Sequence, residues 1–212
     1  MIQIKKFTFN PVQENTFIVY DETKECIIID AGCFVDNERQ ELDQFIAENQ
    51  LKPVRLINTH CHFDHIMGIS HCRSKYHLQF ECHADEAPLV ESAVNYGDMF
   101  GIPVEPVDAP DTFIREGDQI SFGNSCLQVI EAPGHSPGSV AFYNPEQKIL
   151  FAGDVLFYGS IGRTDLPGGS MEQLVGNIKT KLFTLPEETE VYCGHGQETT
   201  IGFEKENNPY LT

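Results

Sequence analysis

With 212 residues, 41% of them hydrophobic and 22% charged, the chain is long and apolar enough to bury a core as a globular domain. Thirty-two acidic against fourteen basic residues give a formal charge of −18, which repels nucleic-acid phosphates and anionic lipid alike. The seven cysteines are scattered without a CxxC pair, no run approaches the ~20 apolar residues of a membrane span, and no basic segment leads an apolar block at the N-terminus; a reducing cytoplasm is the expectation.

The first thirty residues alternate in the manner of antiparallel strands, at 2–9, 16–20 and 26–30, the last ending on Ala31-Gly32. Residues 36–50 carry Leu42, Phe45 and Ile46 at helical spacing on a polar background. A buried strand follows at 54–59, then a helix over 65–77, a short strand at 79–82 and a helix over 85–96 closed by Gly97. The stretch 101–110, with prolines at 103, 106 and 110, is expected to be a surface loop crossing between two halves. Strands at 120–122, 126–131, 140–143 and 148–152 form a second set. A helix over 170–183 with Ser170 as N-cap, a strand at 190–193 and a short helix after Gln197 complete the chain. Strands then helix, twice over, predict an α/β fold in which two sheets face each other with helices outside, as one domain over residues 1–212.

The stretch His60-Cys61-His62-Phe63-Asp64-His65 places four metal-type ligands directly behind the apolar strand at 54–59. Three imidazoles and a carboxylate are poor core material and good ligands for zinc or iron. Side chains two apart in extended chain share a side, so His60 and His62 are placed to share one ion, while Asp64 and His65, further round the turn, reach another. Cys61 then points the opposite way and, like Cys26, Cys126 and Cys193, reads as a small apolar core residue. Three later strands each run into a glycine-bearing loop with a single ligand: Pro133-Gly134-His135-Ser136-Pro137-Gly138, Ala152-Gly153-Asp154 and Cys193-Gly194-His195-Gly196. Glycine beside each lets the backbone turn sharply and approach an ion closely. Together with the first cluster these complete seven ligands, enough for two ions. His71, His77 and His83 fit no ligand pattern.

In the order and rough spacing of Thr59-His60-Cys61-His62-Phe63-Asp64-His65, Gly134-His135, Gly153-Asp154 and Gly194-His195, the sequence resembles the metallo-β-lactamase superfamily. The resemblance implies a four-layer αββα sandwich with the metals at one edge of the two sheets. It implies His60, His62 and His135 on one ion, Asp64, His65 and His195 on the other, and Asp154 bridging them. Two zinc ions per chain are expected, with iron or manganese as alternatives. Gly159-Ser160-Ile161-Gly162-Arg163-Thr164-Asp165 and Pro133-Gly134-His135-Ser136-Pro137-Gly138-Ser139 are similar to the glyoxalase II-like branch, whose reaction is hydrolysis of S-acylglutathione thioesters. Persulfide dioxygenases share the Gly-Arg-Thr-Asp element. In typical zinc β-lactamases the position of Asp154 is a cysteine or a non-ligand, which argues against a true β-lactamase. The chain runs 17 residues past His195, without room for the C-terminal helical region that contacts glutathione in glyoxalase II. The reaction type is therefore expected to carry over, with an S-acylglutathione-type substrate one candidate and glutathione specificity not implied.

Two divalent ions ~3.5–4 Å apart share a hydroxide near neutrality, which would attack an acyl carbon while one metal polarises the carbonyl oxygen and Asp64 orients the hydroxide. A thiol of pKa about 8.5 leaves without a dedicated acid. An amide nitrogen needs a proton, and no separate acid stands near the motifs, so a small thioester or ester is the expected substrate. Arg163 is the candidate substrate contact, able to pair with a carboxylate, and an ion pair with Asp165 is its other reading. Tyr158 either lines the pocket or packs into the core. The rival activity is a persulfide dioxygenase holding one Fe(II) through His60, His135 and Asp154, a two-His-one-carboxylate set. The diiron module of flavodiiron proteins is disfavoured, because those carry an acidic residue in place of one early histidine and an attached flavin domain. The expected partner is a small-molecule substrate, with neither nucleic acid nor membrane, and the oligomeric state is left open.

Overall fold

The computed structural model describes all of Met1–Thr212. Its first sheet holds, in spatial order, β1 (Gln3–Phe9), β2 (Glu14–Tyr20), β3 (Glu25–Ile29), β4 (Lys52–Ile57), β5 (Phe80–His83) and β6 (Thr112–Ile114). The first three strands form an antiparallel meander and β3 to β6 run parallel. Parallel neighbours need a crossover, and helices supply it: α1 (Asp36–Glu48), then α2 (Phe63–Ile66) with α3 (Ile69–Tyr76), then α4 (Ala87–Met99). The second sheet starts with β7 (Gln119–Phe122), β8 (Ser125–Glu131), β9 (Val140–Asn144) and β10 (Ile149–Gly153). A small hairpin, β11 (Leu156–Phe157) and β12 (Ser160–Ile161), and helix α5 (Met171–Thr180) then lead to β13 (Glu190–Cys193), parallel to β10, with β14 (Thr199–Thr200) at the edge and α6 (Ile201–Asn207) closing the chain.

Successive residues of a strand face opposite sides, and here that alternation sorts the core into three layers. Ile27 and Ile29 join Phe17, Ile57, Phe142 and Phe151 between the sheets. Cys26 and Ile28 face the other way and pack with Leu42 and Ile46 of α1 and Leu89 of α4. On the far side of the second sheet, Leu150 and Ala152 pack with Leu174 and Ile178 of α5 and Ile201 of α6. Helices, sheet, sheet and helices thus form the four-layer αββα sandwich that the sequence implies. No helix is long and apolar enough to cross a membrane.

Three expectations need correction. The helix expected over 65–77 starts at Phe63 and breaks into α2 and α3 around Gly68. There the Gly68 N–H donates to the Ala31 carbonyl at 2.7 Å, and a Cβ would lie 2.5 Å from the Cys33 Sγ, so the backbone is drawn against its neighbour. Residues 101–110 do not cross between the halves; they lead from α4 to β6 on the same sheet, and the crossing falls at 115–118. Three residues of β6 are too few to show a period. Cys126 is half-buried with its Sγ directed at the Gln119 Oε1 (2.9 Å), while the other six cysteines are buried as free thiols.

Strands β4, β8, β10 and β13 all run out at one edge of the sandwich, and backbone hydrogen bonds join the two sheets there. The Val140 N–H donates to the Thr59 carbonyl at 2.8 Å, and the Asn15 N–H to the Gly194 carbonyl at 2.7 Å. The loops that leave these strands are therefore held face to face.

Candidate metal centre

The strand-end loops bring all seven sequence-predicted groups into one cluster. After β4 the chain turns tightly, because the Asn58 side-chain amide donates to the carbonyls of His60 (3.2 Å) and His65 (2.8 Å), tying both ends of the motif together. His62 lies just before α2, whose first turn presents Asp64 and His65 inward. Gly153 has a φ of +49°, and a Cβ there would stand 2.3 Å from the Thr59 Oγ1, so only glycine lets Asp154 leave β10 at this point. Gly194 comes so near that a Cβ would be 2.2 Å from Asp154 Oδ1.

Three sets of three emerge, the candidate atoms of each lying within 4.8 Å of one another: His60, His62 and His135; Asp64, His65 and His195; and a third that joins Asp30 to His60 and His65. The Nε2 atoms of His60 and His135 are 3.3 Å apart, and so are those of His65 and His195. Two nitrogens bound at ~2.0–2.1 Å to one tetrahedral zinc would be separated by about 3.3 Å. Asp154 stands between the first two sets: its Oδ2 is 3.5 Å from Nε2 of both His135 and His195, and its Oδ1 is 3.4 Å from that of His65. That Oδ1 is buried without a hydrogen-bond partner. An ion is what such an orphaned carboxylate oxygen lacks.

The far nitrogens of the rings are already committed. His135 Nδ1 meets the Arg163 carbonyl at 2.8 Å, His195 Nδ1 the Gln13 carbonyl at 3.1 Å, and His65 Nδ1 the Asp30 Oδ2 at 3.2 Å. Thr59 donates its hydroxyl to Asp30 Oδ2 (2.6 Å), so the oxygen can accept from His60 Nδ1 at 3.1 Å. With Nδ1–H tied to an oxygen, each Nε2 is left to face inward, the arrangement that metal-binding histidines adopt.

Burial pushes His60 and His135 below the usual imidazole range and His62 down to about 3. These rings are neutral at pH 7 and ready to donate a lone pair. His65 goes the other way: burial opposes its charge, but Asp154 and Asp64 outweigh it and hold the ring well above the usual value. Asp154 is likewise buried, yet His65 and His195 keep its carboxylate well below the ordinary range. Asp64 is lowered too, burial being overcome by His65 and by the hydrogen bond from His195, with 3.2 Å between Asp64 Oδ2 and His195 Nε2.

Sequence reasoning missed three buried carboxylates behind the site. Asp30 accepts from the Thr59 N–H (2.7 Å) and hydroxyl and from His65. Glu14 lies 4.0 Å from His65 Nδ1. Glu86 accepts from the Cys61 N–H (2.6 Å), the Ser136 hydroxyl (2.7 Å) and the Gly138 N–H (2.7 Å), joining the loop of His60 and His62 to that of His135. Only Asp30 carried a signal, since it too follows a strand at a glycine-bearing turn, Asp30-Ala31-Gly32. Cys61 is buried in the core away from the cluster, as expected. His71 and His83 pair with Asp43 and Glu131 outside the centre, and His77 is an exposed helix cap. Tyr158 stacks on Phe203, with ring centroids 4.7 Å apart.

A cavity of about 350 Å³ opens over the cluster, reaching His62, Asp64, His135, Asp154 and His195. Arg163 lines it, with its guanidinium on Asp165 through two hydrogen bonds of 2.7 and 2.8 Å.

The sequence model of the metallo-β-lactamase superfamily matches residues 9–195. The chain belongs to the metallo-β-lactamase superfamily. By family it is a metal-dependent hydrolase. Among curated relatives, it is 36% identical to the probable metallo-hydrolase YqgX of Bacillus subtilis (strain 168), over 98% of this chain and 96% of that one. It is also 36% identical to the hydroxyacylglutathione hydrolase GloC of Haemophilus influenzae, over 94% and 93%. Similar crystal structures include the BLEG-1 B3 metallo-β-lactamase (TM-score 0.91, 36% identity, 99% of this chain and 100% of that one) and TTHA1623 in a di-iron-bound form (0.88, 37%, 98% and 100%). ETHE1 from Myxococcus xanthus is more distant (0.78, 27%, 98% and 83%). The metallo-β-lactamase superfamily fold thus covers the whole length of this chain.

Proposed function

We propose that this chain is a glyoxalase II-like hydrolase that cleaves a small thioester or ester at a two-metal centre. The observation that carries the reading is Asp154, whose carboxylate stands between two ligand sets, with Oδ2 3.5 Å from His135 of one and His195 of the other and Oδ1 3.4 Å from His65 and buried outside any hydrogen bond. His60, His62 and His135 would hold one ion and Asp64, His65 and His195 the other, with Asp154 shared. When bound, the ions supply an acidified water and a Lewis acid for the acyl oxygen. The H. influenzae relative supports a thioester, as its name states hydrolysis of hydroxyacylglutathione. The di-iron form of TTHA1623 keeps iron beside zinc as the resident metal.

The protein's own part is to hold and orient. The Nδ1 contacts of His60, His65, His135 and His195 fix their rings, and Asp64, kept ionised by His65 and His195, accepts a hydrogen bond from the attacking water. The water oxygen bonds to the acyl carbon, the C–S bond breaks, and a carboxylic acid and a thiol result. Apart from the candidate ligands, only Tyr96 and Arg163 among the lining groups carry a proton that could be offered to an amide nitrogen. A thiolate leaves without one.

A second reading rests on His60, His135 and Asp154 alone, which suit a mononuclear Fe(II) dioxygenase acting on a persulfide. Metal analysis of protein purified without added metal, with turnover of S-lactoylglutathione, a β-lactam, and oxygen uptake on glutathione persulfide, decides between them. Two metals per chain with thioester cleavage is the expected result. One iron with oxygen uptake, or β-lactam turnover without thioester turnover, would overturn it.

A further inference from the structure

Granted the thioesterase activity proposed for this centre, on which the inference rests, the walls of the cavity bear on which thioester is taken. Beyond the candidate ligands, the lining is Val12, Phe63, Tyr96, Phe100, Phe157 and Leu166, with Arg163 as the single cation. These apolar groups come from five separate segments: the β1–β2 turn, the start of α2, the end of α4, the small hairpin and the loop after it. The rings of Phe63 and Phe100 lie 5.4 Å apart as one surface. Tyr96, Phe100 and Leu166 also border an adjoining hollow of about 570 Å³ that adds Met99 and Pro167 on one side and Ser92, Asn95 and Asp165 on the other. Phe100 is 51% exposed and Met99 78%, so an apolar wall of Phe63, Tyr96, Phe100, Met99 and Leu166 runs from the metal ligands out to solvent.

Charge points the same way. A glutathione half carries two carboxylates against one ammonium. Across both hollows the only Lys or Arg is Arg163, already engaged by Asp165, and the chain as a whole carries −18. We propose that specificity lies in an apolar acyl group: the centre takes thioesters of medium-length aliphatic or aromatic acids, seated on Phe63, Phe100 and Leu166, in preference to short hydroxyacyl esters of glutathione.

The test compares kcat/KM of the metal-loaded protein on acetyl, butyryl and hexanoyl thioesters of one neutral thiol, N-acetylcysteamine, and on S-lactoylglutathione. Burying a methylene favours binding about fourfold, so hexanoyl should exceed acetyl by on the order of a hundredfold. Phe100→Ala and Leu166→Ala change side chains that are exposed or half-buried, so the fold should tolerate both. Each should lower the hexanoyl rate about tenfold more than the acetyl rate. A flat chain-length series, or S-lactoylglutathione as the best substrate, overturns this proposal and leaves the thioesterase reading standing. A hexanoyl preference that survives both substitutions overturns the assigned seat. If no thioester is cleaved by protein with a full metal complement, both readings fall together.

Discussion

Glu86 offers the sharpest test of how the site is built, because it touches no candidate ligand atom yet joins both ligand loops. In Glu86→Ala the N–H groups of Cys61 and Gly138 lose their acceptor inside the protein, while the Ser136 hydroxyl keeps the Ser139 Oγ at 2.6 Å. Leaving a buried donor unpaired costs about 1–3 kcal/mol, so two of them cost roughly 2–6 kcal/mol. That is within the ~5–15 kcal/mol of a typical domain, and the variant should still fold. The loop of His60 and His62 would then move independently of the loop of His135, and loss of such outer support lowers metal affinity about 10–100-fold. Glu86→Gln should fall between, since its amide keeps one acceptor oxygen and sets an NH₂ against a backbone donor.

Urea unfolding of the metal-free protein reads the first effect, and zinc competition with a chromogenic chelator on folded protein reads the second. A purely structural role for Glu86 would lower the urea midpoint and leave the zinc affinity of the folded fraction alone. Zinc affinity within twofold of the parent would therefore refute the linkage between the loops. An unchanged urea midpoint would refute the burial argument itself.

Asp154→Asn should reduce zinc from two per chain to one or none by elemental analysis and lower turnover at least ~100-fold; two zinc with near-parental turnover would remove Asp154 from the centre. In the metal-free protein His65 titrates above its free value, because Asp154 and Asp64 hold its charge. It therefore keeps its proton through neutral pH, zinc must displace that proton, and affinity should climb as pH rises toward the folded value. Calorimetry at pH 7 in two buffers of different protonation enthalpy should show about one proton released from this ring, and none would be the refuting result. Arg163→Met removes an exposed, solvent-screened ion pair and leaves the backbone carbonyl that holds His135. Thermal midpoint and zinc affinity should both stay near the parent's; a large drop in zinc affinity would show that the side chain positions His135.

The seven candidate ligands were legible in the sequence because imidazoles crowded at a strand end have no good use in a core, and because the glycines beside them announce sharp turns. The longer strands and helices were legible from their periods, while β6 and the β11–β12 hairpin, at two or three residues a strand, were too short to show one. Glu14 and Glu86 were not, since in a chain with 32 acidic residues a lone glutamate reads as surface, and what buries Glu86 lies at 61, 136 and 138. Asp30 is the instructive case. It follows β3 before Ala31-Gly32 just as Asp154 follows β10, and its oxygen lies close enough to His60 and His65 to form a third candidate set of ligand atoms. Hydrogen bonding separates the two. Asp30 accepts from the Thr59 N–H, the Thr59 hydroxyl and the His65 ring, so both its oxygens are taken by groups that must be held. Asp154 Oδ1 accepts no hydrogen bond, its nearest candidate donor being His65 Nε2 at 3.4 Å. A pattern of strand, turn and carboxylate therefore locates the edge where the loops meet, and the count of donors around each oxygen decides which carboxylate is free to take an ion.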